Sequence, residues 1–107
     1  MTGEEARRIV SRAKSGLRSI YGDRLRGVYL FGSCARGEAR KDSDLDVAVV
    51  LGAVSSCFQE IERTGELASE LTLETGVVVS FFFVAEEDLR TGKHAVHRAI
   101  KREGLPA

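Results

Sequence analysis

Two stretches decide the fold: Leu25-Arg26-Gly27-Val28-Tyr29-Leu30-Phe31-Gly32-Ser33-Cys34-Ala35-Arg36-Gly37 and Asp44-Leu45-Asp46-Val47-Ala48-Val49-Val50-Leu51. The first is a strand over 25–31 that runs straight into a glycine turn. The second is a strand over 44–51, apolar after its opening carboxylates and therefore central in a sheet. Glycine at 32 lets backbone approach an anion. Ser33 brings an amide and a hydroxyl, and Arg36, three residues on, holds anion oxygens in a fork. Asp44 and Asp46 alternate along a strand, so both project to the face from which Leu45 is absent. Mg²⁺ takes one or two carboxylates and completes its shell with water and substrate phosphates. The pieces together fit a nucleoside triphosphate held with its metal, and hence nucleotidyl transfer, which depends on positioning and charge neutralisation.

Outward from this centre, the chain reads as alternating helices and strands. Thr2 and Glu5 have capping-box spacing, and Ala6, Ile9, Val10, Ala13, Leu17 and Ile20 recur at helical intervals up to Tyr21-Gly22-Asp23. Asp42-Ser43 reads as a turn. A second helix starts near Ser56, again with a capping-box partner at Gln59, carries an apolar stripe of Cys57, Phe58, Ile61, Ala68 and Leu71, and stops at Gly76. Residues 77–84 form the most apolar strand. A short polar helical turn over Ala85–Leu89 and an amphipathic helix from His94 to Arg102 follow. The order α-β-β-α-β-α predicts an α+β fold, an α/β sandwich: a small mixed sheet of three or four strands with helices on one face.

Bulk properties narrow the function. The 107 residues make one domain, 1–107, with 43% hydrophobic and 30% charged residues and a net charge of zero. Charge is segregated: residues 1–41 hold ten Lys/Arg against four Asp/Glu, residues 42–89 one against eleven, and residues 90–107 five against one. A neutral total speaks against direct nucleic-acid binding, which needs a broad basic surface. No apolar run reaches membrane-spanning length and the start lacks a signal core, so a cytoplasmic protein is expected. Cys34 and Cys57 have no metal spacing and read as free thiols. His94 and His97 read as surface residues. In Phe81-Phe82-Phe83 the alternation sends aromatics to both faces, so that with helices on one face only at least one faces the cleft or a partner; the readings are ordinary core packing, or a homodimer interface or docking surface for a helical protein.

The constellation Gly32-Ser33 … Asp44-x-Asp46, with Phe31 to Ala39, Asp42 to Asp46 and the tail Ala99-Ile100-Lys101-Arg102-Glu103-Gly104, resembles the minimal nucleotidyltransferases of the DNA polymerase β superfamily. The resemblance implies a polymerase-β-type palm and an enzyme that uses Mg²⁺ or Mn²⁺ with ATP as substrate. It places Gly32, Ser33 and Arg36 at the triphosphate and Asp44 and Asp46 on the metal as catalytic residues. It also implies an antitoxin-like protein that moves AMP to a hydroxyl of a HEPN-type helical partner. In such proteins a third carboxylate stands on the strand after the second helix; here the position is Ser80, a poor metal ligand and no base at neutral pH. The alternative is therefore a nucleotide-binding antitoxin that neutralises a HEPN-type ribonuclease by contact alone.

Overall fold

The computed structural model describes residues 1–37 and 44–107; the turn expected at Asp42-Ser43 lies outside them. Helix α1 covers Gly3–Tyr21, strand β1 Leu25–Phe31, strand β2 Leu45–Leu51, helix α2 Cys57–Thr75, strand β3 Val79–Ala85, helix α3 Glu86–Thr91, helix α4 Ala95–Glu103 and strand β4 Leu105–Pro106. The sheet order is β3-β2-β1-β4. β1 runs antiparallel to β2 and β4, and β2 runs parallel to β3. This is the mixed α+β sheet expected, with β4 as its fourth strand.

Strand alternation divides the core in two. On one face Val28 and Leu30 of β1, Leu45, Val47, Val49 and Leu51 of β2, and Val79 of β3 pack against Ile9, Val10, Ala13 and Leu17 of α1 and Leu71 of α2. The two long helices thus share one face, but the expectation that all helices do so needs correction, because α3 and α4 bring Leu89 and Ile100 to the other. The short helices add a smaller cluster on the other: Phe31, Ala48, Val50 and Val84 meet Ile100 of α4 and Leu89 of α3. Asp46 and Ser80 belong to this second face by alternation.

The α1 capping box forms as its spacing implies. Thr2 Oγ1 accepts from the Glu5 amide at 3.1 Å and Glu5 Oε2 from the Thr2 amide at 3.4 Å. At the other end Tyr21, not Ile20, takes the core position, and Ile20 is 40% exposed. Helix α2 departs further from its expected phase. Glu60, Thr64 and Leu71 face the core, while Phe58 and Ile61 point outward, 68% and 56% exposed.

A charge network explains this rotation. Glu60, with a side chain 3% exposed, accepts from Tyr21 Oη at 2.9 Å and from Arg24 Nη2 at 3.0 Å. Arg63 Nε lies 3.7 Å away. Burial alone pushes the Glu60 carboxyl up. The hydrogen bonds from Arg24 and Tyr21, with the charges of Arg24 and Arg63, outweigh it and hold the group below its ordinary 4.5. A buried carboxylate so supplied ties α2 to the end of α1 through Tyr21 and Arg24.

Glu60→Ala leaves the Tyr21 hydroxyl without its acceptor, and we expect a loss of about 2–3 kcal/mol in chemical denaturation. Because the folded value is lowered, the contribution of Glu60 is fully present above its ordinary value and lost as pH falls through the folded one. The gap between the wild-type protein and Glu60→Ala therefore narrows as pH falls below the ordinary 4.5. A gap unchanged at pH 3 would exclude an ionic role.

Candidate active site

β1 enters the glycine turn without interruption. Gly32 has φ +78°, a left-handed conformation that glycine adopts without a Cβ penalty. Its carbonyl then accepts from both Ala35 and Arg36 amides, at 3.1 and 3.2 Å. Among the described residues the Ser33 and Cys34 amides donate to no acceptor. Successive open amides in a tight turn form a concavity suited to an anion.

The turn lies directly against the second carboxylate. Asp46 stands opposite Phe31 on β1 and level with Ser80 on β3. A methyl group built on Gly32 would overlap Asp46 Oδ2 and stand 3.3 Å from Asp46 Cγ. Glycine is thus required twice over, for its backbone conformation and for the space beside Asp46. The structure brings Gly32 and Asp46 together as the sequence implies.

Asp44 sits just before β2 and is exposed, while Leu45 is buried on the opposite face. Two bonds fix this segment: the Leu45 amide donates to Val78 O at 2.8 Å, and Cys34 Sγ donates to Asp44 O at 3.5 Å. Burial, followed by the charge of Asp46, pushes the Cys34 thiol up, so it remains a protonated donor. Burial, and then the neighbouring charge of Asp44, also pushes the Asp46 carboxyl above its ordinary range, while Arg36 opposes the shift. Two crowded carboxylates of this kind are relieved by a cation. They also match the donor set that Mg²⁺ takes from a protein. Among the described residues no third His, Cys, Asp or Glu joins them in a metal-binding group.

Arg36 lies on the same rim. Its guanidinium pairs with Glu103 at the end of α4, at 3.0 Å, and its charge acts on Asp46. The Glu103 partnership left no signal in sequence spacing, since the two residues meet only through α4. Phe82 is the aromatic that alternation sends to this face. It is 43% exposed, with its ring 5.3 Å from that of Phe31 in an edge-to-face contact. The histidine expectation needs correction. His97 is buried, and its Nδ1 accepts from the His94 amide at 3.1 Å, where it caps the start of α4.

Fold and site together define a class: α+β proteins whose sheet sets an open-amide glycine turn against a carboxylate pair. The sequence pattern of the nucleotidyltransferase domain family matches residues 10–103. The chain belongs to that family and is a nucleotidyltransferase. The protein adenylyltransferase MntA of Thermococcus cleftensis is 38% identical over 79 residues, 74% of this chain and 78% of the relative. A structure presented as a minimal nucleotidyltransferase superposes with a TM-score of 0.67 at 27% identity, covering 100% of this chain and 97% of the other. A toxin–antitoxin crystallised with AMP-PNP superposes with a TM-score of 0.66 at 23% identity, covering 90% and 69%. No helix among the described residues is long and apolar enough to cross a membrane.

Proposed function

We propose that this nucleotidyltransferase moves AMP from ATP to a hydroxyl of a protein partner, a HEPN-type helical protein for which it serves as antitoxin. The observation that carries the reading is the cradle at Gly32, where open amides meet a strained carboxylate pair with no room for a side chain. The relative named for protein adenylylation and the AMP-PNP-bound toxin–antitoxin support the choice of nucleotide and acceptor.

In this reading the Ser33 and Cys34 amides and the Ser33 hydroxyl bind the phosphates. Arg36 exchanges Glu103 for a phosphate oxygen and orients the triphosphate by its fork. Asp44 and Asp46 would hold Mg²⁺ or Mn²⁺. That cation, when bound, supplies charge neutralisation at the phosphates and acidifies an attacking hydroxyl. Cys34 steadies Asp44 through its carbonyl, and Phe31 stands beside Asp46 across the strand pair.

Label transfer tests the reading. With Mg²⁺, α-labelled ATP and the protein encoded beside it, the wild-type chain is expected to label the partner, and the pair Asp44→Asn/Asp46→Asn is not. No label with an intact metal site would overturn it. A second reading, neutralisation by contact alone, is favoured by the serine beside Asp46. It is upheld if the double variant still silences the partner's ribonuclease.

A further inference from the structure

α4 ends against its own electrostatics. The last turn of a helix favours cations, and Lys101 and Arg102 follow that rule. The final residue, Glu103, breaks it. Its carboxylate pairs with the Arg36 guanidinium at 3.0 Å. Among the described residues its other partner is the exposed Arg102, at 3.4 Å. Two segments remote in sequence therefore meet at the rim of the glycine turn, and one of them carries an anion that no capping need explains.

Both segments are built on β1. Arg36 lies in the turn that β1 feeds, and its amide donates to Gly32 O at 3.2 Å. On the other side Ile100, one turn before Glu103, is buried in the cluster that contains Phe31. The Gly104 amide donates to Ile100 O at 2.8 Å. A Cβ at Gly104 would overlap that oxygen and stand 3.4 Å from Tyr29 Cβ. β4 then pairs Leu105 with Leu30 and Pro106 with Tyr29. The end of α4 is thus fixed beside the turn by packing and pairing of its own. The ion pair comes on top of this, and with Arg36 42% exposed it adds little stability.

We propose that Glu103 is a positioning residue for product release: it takes Arg36 back from the phosphates after each transfer and so limits how tightly the site keeps pyrophosphate. This rests on the placement of Arg36 at the triphosphate in the reading above. Transfer breaks the bond between the α-phosphorus and its bridging oxygen, and pyrophosphate leaves with that oxygen and its electron pair. A guanidinium that forks phosphate oxygens grips the departing anion as it gripped the substrate. A grip common to both does not speed the chemistry, and slow release of product limits many enzymes. A carboxylate fixed beside the guanidinium competes for the same donors. The site then gives up affinity for substrate and product alike, and clears itself for the next turnover. A pair this exposed shifts an equilibrium by up to about fivefold, enough to ease release and too little to shut out ATP.

Calorimetry with inorganic pyrophosphate and Mn²⁺ tests this on the full chain. Glu103→Gln keeps the shape and removes the charge, and is expected to bind pyrophosphate about 3–5-fold more tightly than wild type. Loss of a merely structural residue would not tighten binding. The gain must pass through the guanidinium. In an Arg36→Gln background the added Glu103→Gln change is therefore expected to shift affinity by less than about twofold. In crystals of the wild-type chain with pyrophosphate, Arg36 is expected on a phosphate oxygen and away from Glu103. Three results would overturn the proposal: Glu103→Gln binding no more tightly, an equal gain in the Arg36→Gln background, which would mean direct repulsion by Glu103, or an Arg36–Glu103 pair that persists in those crystals. If the wild-type chain binds no pyrophosphate at all with Mn²⁺, the phosphate site itself fails, a result distinct from these.

Discussion

Asp46→Asn is expected to cut nucleotidyl transfer severely and, in the absence of a cation, to raise the melting temperature. The two effects have one cause. Asp46 is half-buried and faces the charge of Asp44, and both conditions push its carboxyl above the ordinary 3.8. A carboxyl with a raised folded value costs the native state stability wherever it is ionised. The cost is present at neutral pH and disappears as pH falls through the folded value. Asparagine keeps the shape and does not ionise, so the variant avoids that cost across the neutral range. Transfer, by contrast, falls by at least about 10³-fold, because the amide neither holds a divalent cation nor balances its charge. Differential scanning calorimetry with and without Mn²⁺ separates the two. The cation should raise the wild-type melting temperature by mass action and leave the variant unmoved. A variant less stable than wild type without a cation would mean that Asp46 is a structural group.

Much of this molecule is legible in its sequence, where local chemistry and long-range packing agree. The α1 cap, the run of β1 into the glycine turn and the alternation of Asp44, Leu45 and Asp46 all appear as the residue pattern requires. β3 starts at Val79 rather than at residue 77, and the segment before it is held by local bonds instead, the Val77 amide donating to Thr75 Oγ1 at 3.2 Å.

The phase of α2 was hidden for a different reason. Hydrophobic periodicity assigns Phe58 and Ile61 to the core and a glutamate to solvent. Glu60 reverses this because Tyr21 and Arg24, remote in sequence, satisfy its charge. His97 is buried, not exposed, on similar grounds, its ring accepting from one backbone amide. The segregated charges also gain a meaning in space. The basic N-terminal stretch and the acidic α2 meet, through Arg12 with Glu74 and Arg24 with Glu60, so two charges of each are paired across the fold. Expected site residues proved easier to place because strand alternation and a glycine turn are local geometry.

Gly32→Ala is expected to cut transfer by at least about 100-fold while the chain still folds. Two independent costs meet at this residue. At φ +78° an alanine carries a left-handed penalty of about 1–2 kcal/mol. In addition its methyl overlaps Asp46 Oδ2, and the backbone of β1 and β2 on either side is locked in the sheet. The softest response is rotation of the Asp46 carboxylate away from the turn. A displacement of about 1 Å at a reacting site is enough for a 10²-fold loss. The stability cost is bounded because rotation of Asp46 away from Asp44 lessens their repulsion. The signature is therefore a large fall in kcat/KM with a loss of only about 1–3 kcal/mol in denaturation. Gly37→Ala is the control. Its φ of +73° carries the same backbone penalty, but among the described residues nothing lies within 4 Å of the added methyl. If Gly37→Ala loses as much activity as Gly32→Ala, backbone strain in the turn is the cause and the close approach to Asp46 is not. If Gly32→Ala alone loses it, the space beside Asp46 is what the glycine protects.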